Sequence, residues 1–463
     1  MSRSAMREVP IAQAVALAPC TPQISLARWD WRGRTVTIMG LGRHGGGAAA
    51  ARFLAQRGAR VTISDVADAD ALAGSLAEVG DVPLAALHLG GHQPADFQCD
   101  ALVVNPAVRP DHPGLQIARS AGARLVSETE LFLAHCPAQV VGVSGSNGKS
   151  TTCGMLQAIL QAGGRRTWLG GNIGNSLLGD LERMRQDDLV VLEMSSFQLA
   201  HLSVDAAWPR WSIITNCTPN HLDWHGSFPA YAQAKCRLLD DSRSTAGIVL
   251  GGNDGTTTAW RALAGRRAVD PWPLNRVPQL VVPGEHNRRN AASAAAMAEC
   301  HGVDATAICQ TLASFAGLPH RLQYVGQVAG RSFYNDSKST TPQAAIAALA
   351  ALEQPCWLLA GGVSKGADFA DLACTIAARA RGVALFGAAR PELAAAIRAQ
   401  SSSLPMIVQE HLADALDACW AESHPREAIL LSPACASHDQ FADYRARGAA
   451  FCALAAQRGA RLG

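Results

Sequence analysis

The stretch Val140-Val141-Gly142-Val143-Ser144-Gly145-Ser146-Asn147-Gly148-Lys149-Ser150-Thr151-Thr152 decides how this chain is read. An apolar run enters a Gly-rich turn, and Gly-Lys-Ser then opens a helix-like segment. Glycines let backbone N–H groups turn toward an anion, and the N-terminus of the following helix adds positive potential. In such a loop Lys149 reaches the β- and γ-phosphates and Ser150 ligates Mg²⁺. Gly145, Ser146, Asn147, Gly148, Lys149, Ser150 and Thr151 are therefore the expected cradle of a nucleotide. One position departs from the generic spacing, because Val143 stands where that pattern has its first glycine. The alternative is a strand-to-helix turn that binds nothing.

On the N-terminal side, Thr35-Val36-Thr37-Ile38-Met39 reads as a strand leading into Gly40-Leu41-Gly42-Arg43-His44-Gly45. An Ala-rich helical stretch runs to about Gln56, and Ala59 to Asp65 gives a second strand ending in an acid. Asp65 lies twenty residues beyond Gly45, which fits a Rossmann-type βαβ unit. Ala101-Leu102-Val103-Val104 adds a strand before Asn105-Pro106, and this block ends near Cys136-Pro137. On the other side of the loop, Asp188 to Glu193 reads as a buried strand. It delivers Glu193 to the carboxyl end, where open parallel sheets place ligands. A carboxylate there is a candidate Mg²⁺ ligand. Trp211 to Asn216 is another such strand, running into Pro219-Asn220-His221-Leu222-Asp223-Trp224-His225. His221, Asp223 and His225 are close in sequence, but no nearby set of Cys or His completes a tetrahedral zinc site. A hard cation beside the nucleotide is the preferred reading. Ala246 to Leu250 gives a further strand, and the Ala-rich stretch from His286 to Cys300 is helical in character.

A third block opens near Leu318-Pro319-His320-Arg321. Strand-like runs at 331–334, 356–360, 383–386 and 428–431 alternate with Ala-rich helical segments, which implies a largely parallel sheet. The expected fold is therefore α/β with three domains. These are a Rossmann-like domain at 33–137, a central P-loop domain with a parallel sheet at 138–317, and a Rossmann-like C-terminal domain at 318–463. An N-terminal extension, 1–32, precedes them.

The 463 residues carry 40 basic and 38 acidic side chains, a net charge of +2, so bulk electrostatics gives no reason to expect nucleic acid or a charged membrane surface. No apolar run reaches the roughly 18 residues that a transmembrane helix needs. The thirteen cysteines are scattered, none in a Cys-x-x-Cys pair, as small core fillers in a reducing compartment would be. Ile11 to Pro19 is apolar but short and contains Gln13, so a flexible or helical extension is preferred over a signal peptide. Nucleotide chemistry also points to the cytoplasm.

Gly145-Ser146-Asn147-Gly148-Lys149-Ser150 resembles the phosphate loop of the Mur ligases, a variant that lacks the first generic glycine. Gly170-Gly171-Asn172-Ile173-Gly174, Leu192-Glu193-Met194-Ser195-Ser196-Phe197-Gln198-Leu199 and Asn220-His221-Leu222-Asp223 follow in the family's order. So do Ala232-Gln233-Ala234-Lys235, Gly284-Glu285-His286-Asn287-Arg288-Arg289-Asn290, Leu318-Pro319-His320-Arg321 and Asn335-Asp336-Ser337-Lys338-Ser339-Thr340. Leu431-Ser432-Pro433-Ala434-Cys435-Ala436-Ser437-His438-Asp439-Gln440-Phe441 closes the series and resembles the glutamate-adding branch. The resemblance covers roughly residues 34–460.

That resemblance implies a cytoplasmic ligase of peptidoglycan precursor synthesis, acting as a monomer. ATP would phosphorylate the carboxylate of UDP-N-acetylmuramoyl-L-alanine, and the amine of D-glutamate would attack the acyl phosphate. Lys149, Glu193, His221 and Lys235 would carry the chemistry. Ser150 and Glu193 would serve one Mg²⁺; Glu193, His221 and a carbamate on Lys235 would serve a second. A carbamate is required there because an ammonium has no lone pair to offer. Asn287, Asn290, Arg321 and Asp336 would take the base and ribose side of ATP. Asn172 and Ser195 would touch the UDP-sugar substrate, with Arg43, Asp65 and Asn105 at its uridine diphosphate end. Lys338, Thr340, Lys365, Ser437 and Tyr444 would hold the amino acid. Tyr444 stands where the family more often has Phe, and Asn220 replaces an acid often found before the metal His.

Other readings remain. Members that add diaminopimelate or lysine carry Asp-Asn-Pro-Arg in the last domain, and this chain has none. The alanine-adding member has His where Asn147 stands. Folylpolyglutamate synthase would have little use for the first Rossmann-like block. A nicotinamide-dependent dehydrogenase built on Gly40–Gly45 leaves residues 140–290 unexplained. A non-catalytic binder would have no need of Lys149, Glu193, His221 and Lys235. Residue types favour an acidic amino acid at the last site, while the D enantiomer comes from the resemblance alone.

Overall fold

Alternating apolar runs and Ala-rich helices build three separate sheets in the computed structural model, which describes residues 25–460 apart from 44, 175, 204–205, 241–245 and 365. The first sheet holds β1 (Thr35–Met39), β2 (Arg60–Ser64), β3 (Leu84–His88), β4 (Ala101–Val104) and β5 (Arg124–Val126) in the order β3-β2-β1-β4-β5. The second holds β6 (Gln139–Ser144), β7 (Thr167–Gly171), β8 (Leu189–Glu193), β9 (Trp211–Ile214), β10 (Gly247–Leu250) and β11 (Ala268–Val269), ordered β11-β10-β9-β6-β8-β7. Every pairing in these two sheets is parallel. The third holds β12 (Gln323–Val328), β13 (Arg331–Asn335), β14 (Cys356–Gly361), β15 (Ala380–Phe386), β16 (Met406–Val408) and β17 (Ala428–Ala434), ordered β12-β13-β17-β14-β15-β16. Only β12 runs antiparallel there, paired with β13.

The expected α/β class and its three sheets are thus present. The unforeseen strands are β3, β5, β7, β11, β12 and β16. Three of them, β5, β11 and β16, are two or three residues long, too short to show a period. β3 lies at a sheet edge with every second residue exposed, so it carries no continuous apolar run.

The chain divides into two compact units. One carries the described residues up to Cys136 together with the segment around His201–Ala207; the other carries the rest, including the second and third sheets. In the first, Leu26 and Trp31 are buried, so the described end of the leading extension packs onto the unit. Residues 1–24 lie outside the described residues. In the second, β8 is buried along its whole length, as a strand covered on both faces must be. The helices Lys149–Ala162 and Glu285–Cys300 pack together over one face of the second sheet, contributing Leu156, Ile159 and Leu160 from one and Ala291 to Ala298 from the other. Alanine on the second helix lets the two backbones approach, and the first is thereby held with its N-terminus at the end of β6. Every described cysteine is a free thiol, and among the described residues no helix is long and apolar enough to cross a membrane.

The Gly-rich turn after β1 shows which glycine the close helix–strand approach needs. A Cβ on Gly47 would lie 2.3 Å from the carbonyl oxygen of Leu41, a backbone atom that cannot swing aside. Gly47 follows Gly45 by two residues and is outside the motif. Gly47→Ala is expected to destabilise the protein by about 1–3 kcal/mol, the usual range for overpacking. A urea midpoint equal to that of the wild type would refute the steric argument.

Candidate active site

The phosphate loop leaves β6 at Ser144 and enters the helix Lys149–Ala162 through Gly148, which caps it in the left-handed region at φ 81°. A Cβ on Gly145 (φ 146°) would lie within 2 Å of Thr215 Oγ1, and one on Gly148 would lie 2.3 Å from Asn290 Oδ1. Both glycines are therefore demanded by space as well as by conformation. The loop is tied to the end of β9. Ser146 N donates to Asn216 O at 3.0 Å, Asn147 N to Asn216 Oδ1 at 2.9 Å, and Thr215 Oγ1 to Asn147 O at 2.5 Å. Ser146 Oγ donates to Thr218 O at 2.8 Å. Ser150 is buried in the first turn, with Thr151 half-buried beside it.

Two lysines meet on one carbonyl of this loop. Lys149 Nζ donates to Gly145 O at 2.9 Å and to Ser146 O at 3.1 Å. Lys235 Nζ, arriving from the helix Phe228–Cys236, donates to the same Gly145 O at 2.9 Å and to Ser144 Oγ at 3.3 Å. Among the described residues neither makes an ion pair. Burial pushes Lys149 below the ordinary lysine range; Glu193 opposes this, and Arg321 adds to it. Burial, reinforced by Lys149, pushes Lys235 down to about 7. Glu193 ends β8 and is buried. Its Oε1 accepts from Asn172 Nδ2 at 2.8 Å, while Oε2 has no hydrogen-bond partner among the described residues.

His221 is exposed and sits at φ 52°, a left-handed conformation rare outside glycine. Its ring lies against Phe197, with ring centres 4.8 Å apart, and burial pushes its pKa down. His225 instead meets Ser196 Oγ at 2.9 Å through Nε2, and Asp223 is exposed. Among the described residues no group of three or more His, Cys, Asp or Glu is placed to hold a metal alone. Mg²⁺ needs no such cage, since it binds through one or two carboxylates plus phosphate oxygens and water. The buried, unpartnered oxygen of Glu193 beside the loop suits that donor set.

Asn287 and Asn290 lie one turn apart on the helix Glu285–Cys300. Asn290 covers Gly148, and Asn287 Nδ2 donates to Pro283 O at 2.6 Å. Ser195 Oγ donates to Gln198 Oε1 at 3.0 Å and accepts from Gln198 N at 3.1 Å, so it serves the start of the helix Ser196–His201. In the third sheet, Asp336 follows β13. It accepts from Leu322 N at 3.0 Å and from Ser432 Oγ at 2.8 Å, and burial pushes its carboxyl up to about 6. Lys338 Nζ is 5.3 Å from the ring centre of Tyr444. Burial, then Arg321, pushes Lys338 down. Burial raises the Tyr444 phenol, but Arg445 and Lys338 outweigh it and hold the phenol below its ordinary value. Thr340 is half-buried with its N–H on Lys338 O, and Ser437 is buried. Lys365 lies outside the described residues.

The other unit holds Arg43, Asp65 and Asn105. Arg43 is exposed. Asp65 Oδ2 accepts from Gly42 N at 3.2 Å, and Asn105 Nδ2 donates to Gly40 O at 3.1 Å. A Cβ on Gly40 or Gly42 would strike the Asn105 side chain. Both residues therefore shape the Gly-rich turn.

Sequence reading missed several supports. Tyr231 Oη donates to Ser146 Oγ at 2.8 Å, and its ring lies 4.8 Å under Lys235 Nζ. The signal was present, since residues 231 and 235 stand four apart on one helix face. Arg447 is fully buried and donates to Ser337 O, Ser337 Oγ, Gly361 O and Cys435 O, joining the loops around Lys338 and Ser437. Nothing in its Ala-rich surroundings announces that.

Three family descriptions match the chain: Mur ligase MurD-like N-terminal domain over residues 34–127, Mur ligase middle domain over 143–272, and Mur ligase glutamate ligase domain over 320–435. The UDP-N-acetylmuramoylalanine–D-glutamate ligase of Geobacter metallireducens is 34% identical over 447 residues, covering 90% of this chain and 96% of its own length. That of Nitrosococcus oceani is 35% identical over 463 residues, covering 94% and 97%. The crystal structure of UDP-N-acetylmuramate–alanine ligase from Thermotoga maritima superposes with a TM-score of 0.56 at 18% identity, covering 92% of this chain and 99% of that one. That likeness is one of fold.

The raised pKa of Asp336 has a consequence for stability. A carboxyl whose folded value lies above its unfolded one stabilises the fold in its protonated state, and that contribution is lost as pH rises through the folded value. The stability of the wild type relative to Asp336→Asn should therefore decline between about pH 4 and 6 and stay level above that. Urea unfolding at several pH values measures it. A difference that grows with pH would overturn the assignment of burial as the dominant influence.

Proposed function

Because this chain belongs to the Mur ligase family, we infer that it is an ATP-dependent, ADP-forming ligase that joins D-glutamate to UDP-N-acetylmuramoyl-L-alanine in peptidoglycan precursor synthesis. The chemistry rests above all on one observation: Lys149 and Lys235 converge on Gly145 O beside the unpartnered oxygen of Glu193. Two buried ammoniums beside a single carboxylate leave an excess of positive charge that favours an anionic ligand. The phosphates of ATP supply it.

The reaction must bring two anions together, a carboxylate and the γ-phosphate. The N–H groups of Ser146 and Asn147 are bonded to Asn216, so the N–H groups at the start of the helix Lys149–Ala162 receive the phosphates. Lys149 leaves the loop carbonyls to follow the γ-phosphate and stabilises charge as it develops on the transferring group. Asn287, Asn290, Arg321 and Asp336 take the base and ribose side. Ser150 and Glu193 would hold one Mg²⁺, and Glu193, His221 and a carbamate on Lys235 would hold a second; the charge they bring would screen the phosphates. The carbamate forms when the neutral Lys235 amine adds carbon dioxide and releases a proton, and the loss of one of the two like charges meeting on Gly145 O favours this modification. Transfer of the γ-phosphate leaves ADP; the amine of glutamate then attacks the acyl carbon, and the resulting tetrahedral intermediate loses inorganic phosphate and a proton to give the amide. Lys338, Lys365, Thr340, Ser437 and Tyr444 hold the amino acid through its carboxylates. Asn172, Ser195, Arg43, Asp65 and Asn105 hold the nucleotide-sugar substrate. The domains run 33–137, 138–317 and 318–463 behind the extension 1–32, and the enzyme works as a cytoplasmic monomer.

Phosphate release from ATP, followed with UDP-N-acetylmuramoyl-L-alanine and each glutamate enantiomer, tests this function. Release that requires both the nucleotide substrate and D-glutamate is expected. Faster product formation with L-glutamate at matched subsaturating concentrations would overturn the stereochemistry, and no release with either would overturn the ligase.

Lys235→Ala should be inactive and partly rescued by acetate or propionate, whose oxygens replace those of the carbamate. Lys235→Arg should not recover, since a guanidinium keeps a positive charge in place. An alanine variant that is fully active without added carboxylate would refute the carbamate.

A further inference from the structure

In the first unit, a cluster of buried polar side chains lies at the carboxyl ends of β2 and β3, apart from the residues given roles above. Its centre is Asp96, whose side chain is 1% exposed. Asp96 Oδ2 accepts from Ser64 Oγ at 2.6 Å and from Gln93 N at 2.7 Å, and Oδ1 accepts from His88 Nδ1 at 2.6 Å. Burial pushes this carboxyl up, but the bonds from Ser64, Gln93 and His88 outweigh it and hold it below the usual range. Ser64 has one proton, and it goes to Asp96. His92 Nδ1, 2.8 Å from Ser64 Oγ, is therefore the donor in that contact. Both histidines thus have their Nδ1 protonated and turned inward.

These bonds bracket one short segment. His88 stands at its start and Gln93 at its end. Between them lie Gly90 (φ 76°) and Gly91 (φ 154°), where a Cβ would meet nothing within 4 Å. Two such glycines leave a segment with many conformations to choose from. It is nevertheless laced to the acid at the end of β2. Asp65 N donates to His88 O at 2.9 Å, Gly91 N to Asp65 O at 3.1 Å, and Gly90 N to Ala67 O at 3.0 Å. Asp65 in turn holds Gly42 N of the Gly-rich turn. Ser64, which precedes Asp65, is bonded to Asp96 itself.

We propose that Asp96 is a positioning residue for the nucleotide end of the substrate: through Ser64, His88 and Gln93 it fixes the two-glycine segment and Asp65 in the arrangement that receives the UDP group. The free energy of ordering the segment is then met during folding rather than during binding, which is preorganisation. This rests on the reading that the first unit takes the uridine diphosphate.

The test compares wild type, Asp96→Asn and Ser64→Ala by calorimetric binding of UDP-N-acetylmuramoyl-L-alanine and by steady-state kinetics. Asp96→Asn should raise KM for that substrate about tenfold, the loss expected from one hydrogen bond to a charged group, while kcat and the KM values for ATP and glutamate stay unchanged. Ser64→Ala keeps two of the Asp96 bonds and should raise the same KM about threefold. A role confined to folding would lower the active fraction, and so kcat, with KM unmoved. That result, or an unchanged KM in both variants, overturns the proposal. If Asp96→Asn does not fold, Ser64→Ala decides alone by the same criterion. A wild type that fails to bind the nucleotide substrate would remove the reading of the first unit and the proposal with it, an outcome distinct from wild-type binding that the variants leave intact.

Discussion

The carbonyl of Gly145 carries the constraint on which the site depends. Two ammoniums, Lys149 and Lys235, donate to it at 2.9 Å, so they cannot be far apart. Like charges this close in a buried place repel more strongly than they would in water. Leaving an ion buried without a partner costs several kcal/mol, and removing the charge or adding an opposite one relieves it. The surroundings are built to tolerate the arrangement. Glu193 opposes the loss of charge on both lysines, and the Tyr231 ring lies under Lys235. The fold offsets this repulsion through its cores, in particular the apolar contact between the helices Lys149–Ala162 and Glu285–Cys300.

Much of this is legible in the residues. The loop from Gly145 to Ser150 and the strand delivering Glu193 announce themselves, because closely spaced glycines signal a tight turn and a continuous apolar run signals a strand covered on both faces. β1, β8, β13 and β17 fall within a residue or a few of the runs that foretell them. The short strands β5, β11 and β16 are invisible, since a period of two needs more than two or three residues to show. The α/β class follows from alternation alone. The activity comes from motifs in a fixed order, a resemblance that no single residue carries.

What stays hidden are contacts made across long stretches of chain. Lys235 stands 90 positions from Gly145, and no local pattern ties the two. Gly47 looks like any small residue at a helix start until the Leu41 carbonyl is found against it. Asp96 belongs to none of the motifs read from the sequence, yet it is buried and bonded to Ser64, 32 positions earlier. Arg447 belongs to none of the motifs read from the sequence, yet it is buried on carbonyls at the carboxyl ends of three strands, β13, β14 and β17. Charged residues are the hardest to place from sequence, because burial of a charge depends on partners that the fold brings from elsewhere.

Arg447 and Asp96 solve one problem in opposite ways. Loops at the carboxyl ends of a parallel sheet must be irregular to hold a ligand, and irregular backbone leaves carbonyls and N–H groups without ladder partners. At the third sheet a guanidinium satisfies the carbonyls of Ser337, Gly361 and Cys435. Guanidinium suits this, since its planar donors stay charged even where burial pushes the group down to about 10. At the first sheet a carboxylate gathers donors instead: a hydroxyl, an imidazole and a backbone N–H. The two sheet ends therefore differ in what they leave over. Around Arg447 the N–H groups of Ser337, Lys338, Ser339 and Thr340 are bonded within the protein, so what is left for an anion such as an amino-acid carboxylate is positive charge, that of Lys338 and of Arg447 itself. Around Asp96 the donors are used up, and the segment presents Gly90 and Gly91 to open space, a surface suited to close backbone approach rather than to charge.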